Sequence, residues 1–278
     1  MTLKMIISKF KRNLFGLLWV AGGIGELSTL WIEIPSQTTE TLPLPIFTLK
    51  LIGLYQSLVI ISIAVRIGVA CAQQLGLSAP FSEAMATPLP QRISHHSKSS
   101  SPHRPNPWPS LQKQLLPGLI GGVISISLVT LWYSLMKAQL PAAFLNASET
   151  TTLPFLTRLL KGGIAEEIVM RWGFMTFLIW LCWRFLQRRK RPPHAGIVIG
   201  AIILSSLLFG LLHLPAASLM VEQLTTALVL YIIIGNTVFG IVAGYLYWKV
   251  GLESAIIAHM VFHSLLVTLQ SLIPLLFS

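Results

Sequence analysis

The chain has 278 residues, of which 54% are hydrophobic and only 10% charged, with a formal net charge of +11. A mean hydropathy of +0.73 excludes a soluble globular domain and points to a polytopic membrane protein. The positive charge does not mark a nucleic-acid binder, because Lys and Arg cluster between apolar runs and do not form basic stripes interleaved with aromatics.

A membrane span needs about 20 mostly apolar residues, and seven windows meet that need: 13–32, 47–72, 115–136, 156–183, 195–214, 224–248 and 254–275. All are expected to be helices, since an open sheet leaves backbone groups unsatisfied in lipid and the alternating segments of a barrel are absent. Lys4, Lys9, Lys11 and Arg12 precede the first window. Its length and the interrupting Glu26 make it a retained anchor, not a cleaved signal. After the second window, residues 74–114 include PLPQRISHHSKSSSPHRPNPWPS, which is too polar to fold alone and is expected to be a flexible cytoplasmic linker. His95, His96 and His103 belong to that solvated tract, not to a metal site. Between the fourth and fifth windows lies the basic cluster Arg184, Arg188, Arg189, Lys190 and Arg191. Basic segments on alternate connections predict a cytoplasmic N-terminus and an outer C-terminus. The expected organisation is N-terminal helices over 1–73, the linker over 74–114 and a membrane core over 115–278. Cys71 and Cys182 sit in apolar runs as structural thiols. Gly196/Gly200 and Gly240/Gly244 are expected to let helices approach closely.

The fourth window carries Glu166, Glu167 and Arg171. Each ionised group near a bilayer centre costs roughly 2.5–3.5 kcal/mol, so the three need mutual compensation or a polar cavity. Residues four apart share a helix face, which pairs Glu167 with Arg171 and leaves Glu166 rotated by about 100°, free to act as a general base. The fifth window ends in Phe209-Gly-Leu-Leu-His213-Leu-Pro215, where Pro215 is expected to stop the helix. The seventh holds His259 and His263 one turn apart. Together these supply a base, imidazoles that can hold a water or an oxyanion, and a counter-ion, which is the equipment of hydrolysis. Glu166, His213 and His259 could equally hold zinc, although the local His-Glu-x-x-His spacing is absent. Glu26, Glu33, Arg66 and Glu222 are solitary and read as interfacial. With the fifth and seventh helices both running outward, His213 and His259 are expected roughly 20 Å apart along the membrane normal unless a helix is broken or tilted.

The order Glu-Glu-x-x-x-Arg, Phe-x-x-x-His, then His-x-x-x-polar over about residues 160–265 resembles the CPBP family, the CaaX-protease and bacteriocin-processing group of intramembrane proteases, also called Abi. The resemblance implies an all-α, polytopic bundle with a polar intramembrane cavity, acting as a multi-pass endopeptidase of bacterial type in a plasma or internal membrane. By that resemblance the carboxylate at Glu166 activates water, His213 positions it, and His259 with His263 binds the substrate carbonyl or oxyanion. Glu167, Arg171 and Phe209 support the site. No cofactor is expected, with zinc on Glu166, His213 and His259 as the alternative. The partners implied are a peptide or membrane-protein substrate and the lipid bilayer, with no nucleic acid. The third motif in this family usually ends in Asn, and here that position is His263. A non-proteolytic membrane scaffold or immunity-type protein is therefore the rival reading. An ion or solute transporter ranks third, since no inverted repeat is evident.

Overall fold

The computed structural model describes residues 3–32, 44–88, 106–150 and 153–276. Among them there is no strand, and seven helices are long and apolar enough to cross a membrane. These are span one (Lys4–Trp31), span two (Ile46–Leu75), span three (Trp108–Gln139), span four (Phe155–Phe185), span five (Ala195–Ser218), span six (Thr226–Lys249) and span seven (Leu252–Leu272). All seven expected windows are recovered, several with added turns. Polar ends can continue a helix because its hydrogen bonds are internal, and they then project into the headgroup region.

Span four is the hub. Half of its most apolar stretch is buried inside the protein, against 28% for span three. Its first half packs on spans one and seven, and its second half on spans two, five and six. Glycines set these approaches. A Cβ at Gly25 would stand 2.5 Å from Leu160 O and 2.8 Å from Ala165 Cβ, so span one meets span four backbone to backbone. A Cβ at Gly68 would fall on the indole of Trp172, which is fully buried between spans two and six and meets Tyr247 edge-on. On the other side, Gly240 and Gly244 of span six admit Ser206 and Ile202 of span five, as expected from the sequence. Gly196 and Gly200 do not serve that purpose. No neighbour lies within 4 Å of a Cβ at Gly200, and Gly196 meets only His194, whose Nδ1 accepts from the Gly196 amide as a helix cap.

The connection after span two is not uniformly a linker. Gly76, at φ +71°, turns the chain into the helix Pro80–Ala86, and Leu77, Ala79 and Ala86 are buried in the core. Asn13 Nδ2 donates to Ala86 O across 3.0 Å. Residues 89–105, with His95, His96 and His103, lie outside the described residues, as does Glu33. Glu222 is exposed in the connection between spans five and six, and Arg66 is exposed on span two, nine residues before its end. A buried polar clamp at the start of span seven was not foreseen. Glu253 Oε1 accepts from the Ser82 amide at 2.8 Å, its Oε2 accepts from Gln114 Nε2 at 3.0 Å, and Gln114 Oε1 accepts from the Ser254 amide. It fixes span seven against span three and the Pro80–Ala86 helix. The intervening Gly251, at φ +143°, has room for no Cβ beside Pro80 and Gln114.

Overpacking a tight helix contact costs about 1–3 kcal/mol. Gly68→Ala is therefore expected to destabilise the protein by an amount in that range, whereas Gly200→Ala is expected to be neutral or slightly stabilising. Thermal and denaturant unfolding in detergent checks both, and equal effects at the two positions would contradict this account of the packing.

Candidate active site

Span four has an unusual backbone where its charged residues lie. Arg158–Glu166 and Ile168–Met175 are wound as π-helix, with i→i+5 hydrogen bonds, and ordinary α-helix resumes at Thr176. Thr176 Oγ1 follows the same register by donating to Arg171 O, five residues back, at 3.1 Å. Such windings are rare and recur at functional sites. The sequence signal that accompanies them is the pair Gly162–Gly163, which places the backbone of span four directly against span seven. A Cβ at Gly162 would lie 2.6 Å from His263 Nε2 and 3.5 Å from His259 Nε2, and one at Gly163 would meet Met260.

Glu167 and Arg171 are fully buried, with Arg171 Nε 3.2 Å from Glu167 Oε2. The contact is an ion pair without hydrogen-bond alignment, and the guanidinium also lies over the ring of Phe209, Cζ to centroid 5.4 Å. Glu167 has a second partner that the sequence reading did not assign: its Oε1 is 2.9 Å from His259 Nδ1. A carboxylate can only accept, so Nδ1 carries the proton and the Nε2 of a neutral His259 is left as an acceptor. His213 is set the same way. Its Nδ1 lies 2.8 Å from Phe209 O, a carbonyl one turn back, and Nε2 is again left free.

The expected 20 Å gap between His213 and His259 does not occur. The ring of Phe209 touches both, with centroids 4.6 Å from His213 and 6.1 Å from His259. Two features close the distance. Regular helix in span five stops at Leu211, and a short helix, Leu214–Ser218, follows a turn that includes His213. Side chains on a helix also lean towards its N-terminus, which carries the imidazole back to Phe209. Pro215 therefore does not end the span. It occupies the first turn of the short helix, where its missing N–H costs nothing. His263 stacks on His259 at 4.8 Å, and its buried Nδ1 has no hydrogen-bond partner among the described residues. Glu166 is half-buried, lies within electrostatic reach of His259, and forms no ion pair or hydrogen bond with any described residue. The structure thus gathers Glu167, Arg171, Phe209, His213, His259 and His263 into one cluster, with Glu166 beside it. Among the described residues no three His, Cys, Asp or Glu side chains converge so as to hold a metal ion.

Residues 148–265 match a family model described as Rce1-like, type II CAAX prenyl endopeptidase. The matched segment contains every residue of the cluster, and the family it is similar to is of the kind that the motif order resembles. No curated protein and no solved structure matches the chain.

Removing one partner of a buried ion pair leaves a charge uncompensated, at about 3–5 kcal/mol. Glu167→Gln is expected to destabilise by that order, and Glu166→Gln by less than about 0.5 kcal/mol. Unfolding of the purified variants in detergent measures the difference. A second expectation concerns the crowding at His263: Gly162→Ala should cost about 1–3 kcal/mol in the native background. Much of that cost should vanish beside His263→Asn, where the side chain is shorter, and a double-mutant cycle reads the coupling directly.

Proposed function

We propose that this protein is an intramembrane endopeptidase that hydrolyses a peptide bond with a water activated by Glu166, without a catalytic metal. The observation that carries the reading is the division of labour between adjacent carboxylates: Glu167 is committed to Arg171 and His259, while Glu166 is unpaired at the edge of the same cluster. A base must have a lone pair to offer, and of the two carboxylates Glu166 is the one outside the ion pair.

In this mechanism one O–H of the water donates to Nε2 of His213, which fixes its orientation, and the other O–H points to Glu166. Glu166 takes a proton as the water oxygen attacks the carbonyl carbon, and negative charge collects on the carbonyl oxygen. His263 carries the donor for that oxyanion through its unpartnered Nδ1, in the role that an amide side chain fills elsewhere in the family. In a low-dielectric site one such donor contributes about 2.7–4 kcal/mol to the transition state. Glu166 then passes its proton to the amide nitrogen, the C–N bond breaks, and the products leave as a carboxylate and an amine. Glu167 is a positioning residue. It holds His259 in the tautomer that leaves Nε2 available and neutralises Arg171. The substrate is a peptide or a membrane protein reached from the bilayer, and the N-terminus of the enzyme is cytoplasmic, as its basic segments indicate.

Glu166→Gln is expected to abolish cleavage of a quenched-fluorescence peptide panel by the detergent-purified protein, by at least about a hundredfold. A strong chelator is expected to leave wild-type cleavage unchanged. Loss of activity with chelator, restored by zinc, would reassign the chemistry to a metal. Cleavage that survives Glu166→Gln would overturn the role of Glu166, and no cleavage by a folded wild type would favour the scaffold reading.

A further inference from the structure

A second polar site lies at one end of the bundle, between spans one, two and four. It is a cavity of about 230 Å³ lined by Glu26, Thr29, Lys50, Ser57 and Lys161, with Ile32 and Leu54 as apolar walls. Glu26, expected to be a solitary interfacial residue, is only 7% exposed and faces this cavity. Among the described residues its carboxylate has neither a hydrogen bond nor an ion pair, and the same holds for the Lys161 ammonium. Lys50 Nζ gives one hydrogen bond to Leu30 O at 2.9 Å, which holds the ammonium at the rim with its other N–H groups free. Thr29 Oγ1 donates to Glu26 O at 2.7 Å and keeps its lone pairs. A nine-tenths buried carboxylate without a partner is costly, so the cavity has a polar requirement of its own.

The level of the cavity defines its ligand. Span two has 30 residues, about 45 Å of helix, against a hydrocarbon core of about 30 Å, so roughly five residues at each end stand in the headgroup layer. Lys50 is the fifth residue of that span, Thr29 is near the end of span one, and Lys161 is seventh in span four. The lining therefore straddles the headgroup boundary. A volume of about 230 Å³ is below the ~300 Å³ at which drug-sized ligand sites begin, which suits one headgroup and not a folded peptide. Two ammonium groups and one carboxylate call for a ligand carrying both signs. An anion alone would face Glu26, and a cation alone would face two lysines.

We propose that this cavity binds the headgroup of an ethanolamine phospholipid, with Lys50 and Lys161 on the phosphate and Glu26 accepting from the primary ammonium. Ile32 and Leu54 flank the start of the acyl chains. The quaternary ammonium of choline offers Glu26 no N–H, and a glycerol headgroup offers it no charge. The cavity shares no lining residue with the hydrolytic cluster and does not depend on the proposed chemistry there.

The test is native mass spectrometry of the full-length protein in detergent, incubated with phosphatidylethanolamine, phosphatidylcholine or phosphatidylglycerol of identical chains. Only ethanolamine offers Glu26 a charge-assisted hydrogen bond, so ethanolamine lipid is expected to be retained about tenfold or more over the other two. Glu26→Gln is expected to erase that preference, and Lys161→Met to weaken retention of every phospholipid. Both variants are checked for unchanged thermal unfolding, and Lys50→Met serves as a second reading of the phosphate contact if Lys161→Met fails to fold. Equal retention of the three lipids by the wild type would overturn the proposal. So would a preference for phosphatidylglycerol, or displacement of ethanolamine lipid by inorganic phosphate alone, which would assign a bare anion. A preference that survives Glu26→Gln would likewise dispose of it.

Discussion

The rest of the site depends on burying the Glu167–Arg171 ion pair inside a membrane bundle. Withdrawing two charges from water costs several kcal/mol per ion, and one partner each does not satisfy a carboxylate or a guanidinium. Glu167 therefore takes a second contact from His259 on span seven, and Arg171 lies over Phe209 on span five. Each of these contacts fixes something else. The bond to Glu167 sets the tautomer of His259, and the same phenyl ring that covers Arg171 also lies against His213. A demand for charge compensation in span four thus fixes the positions of three helices relative to one another.

The family match begins at residue 148, yet the structural unit begins with span one. Span four can be the hub only because span one approaches its backbone through Gly25, and Trp172 fills the space that Gly68 of span two leaves. Spans one and two are thus a wall of the site. Span three and the Pro80–Ala86 helix act from another direction, through the clamp on Glu253 at the root of the helix that carries His259 and His263. Glu253 is two turns from His259, so the clamp and the cluster share one rigid rod.

Composition and apolar windows were enough to read seven helices, because lipid leaves a chain few alternatives. The cluster was also legible, as motif order, and the i,i+4 rule paired Glu167 with Arg171 correctly. What could not be read was anything set by contact between distant segments. The His259–Glu167 bond joins residues 92 apart, and no local pattern encodes it. Gly196 and Gly200 have the spacing of a packing motif but face Leu178 and Cys182 of span four across a gap, since spacing does not say how closely a partner approaches. Glu26 reads as solitary in one dimension, because Lys50 and Lys161 join it only when three spans converge. The separation expected between His213 and His259 failed for another reason: it treated helices as straight rods, whereas span five breaks at His213 and its side chain turns back.

Adjacent carboxylates of identical chemistry end in opposite surroundings, and the helix is the cause. One residue of rotation directs Glu167 into the protein, where both oxygens are taken, and Glu166 towards the edge of the cluster. Neither could serve in the other's place. A carboxylate held by a guanidinium and an imidazole could turn to a water only by giving up those contacts, which would strand two buried groups. An unpaired carboxylate can act as a base, but at the position of Glu167 it would leave Arg171 as an isolated charge in the bilayer. The π-helical winding bears on the same division. It widens the turn that carries both residues, and with Gly162 in that turn His259 and His263 come against the backbone of span four. The Glu-Glu pair is therefore a single device: the inner carboxylate makes the buried charge of Arg171 tolerable and aims His259, so that the outer one can remain uncommitted beside it.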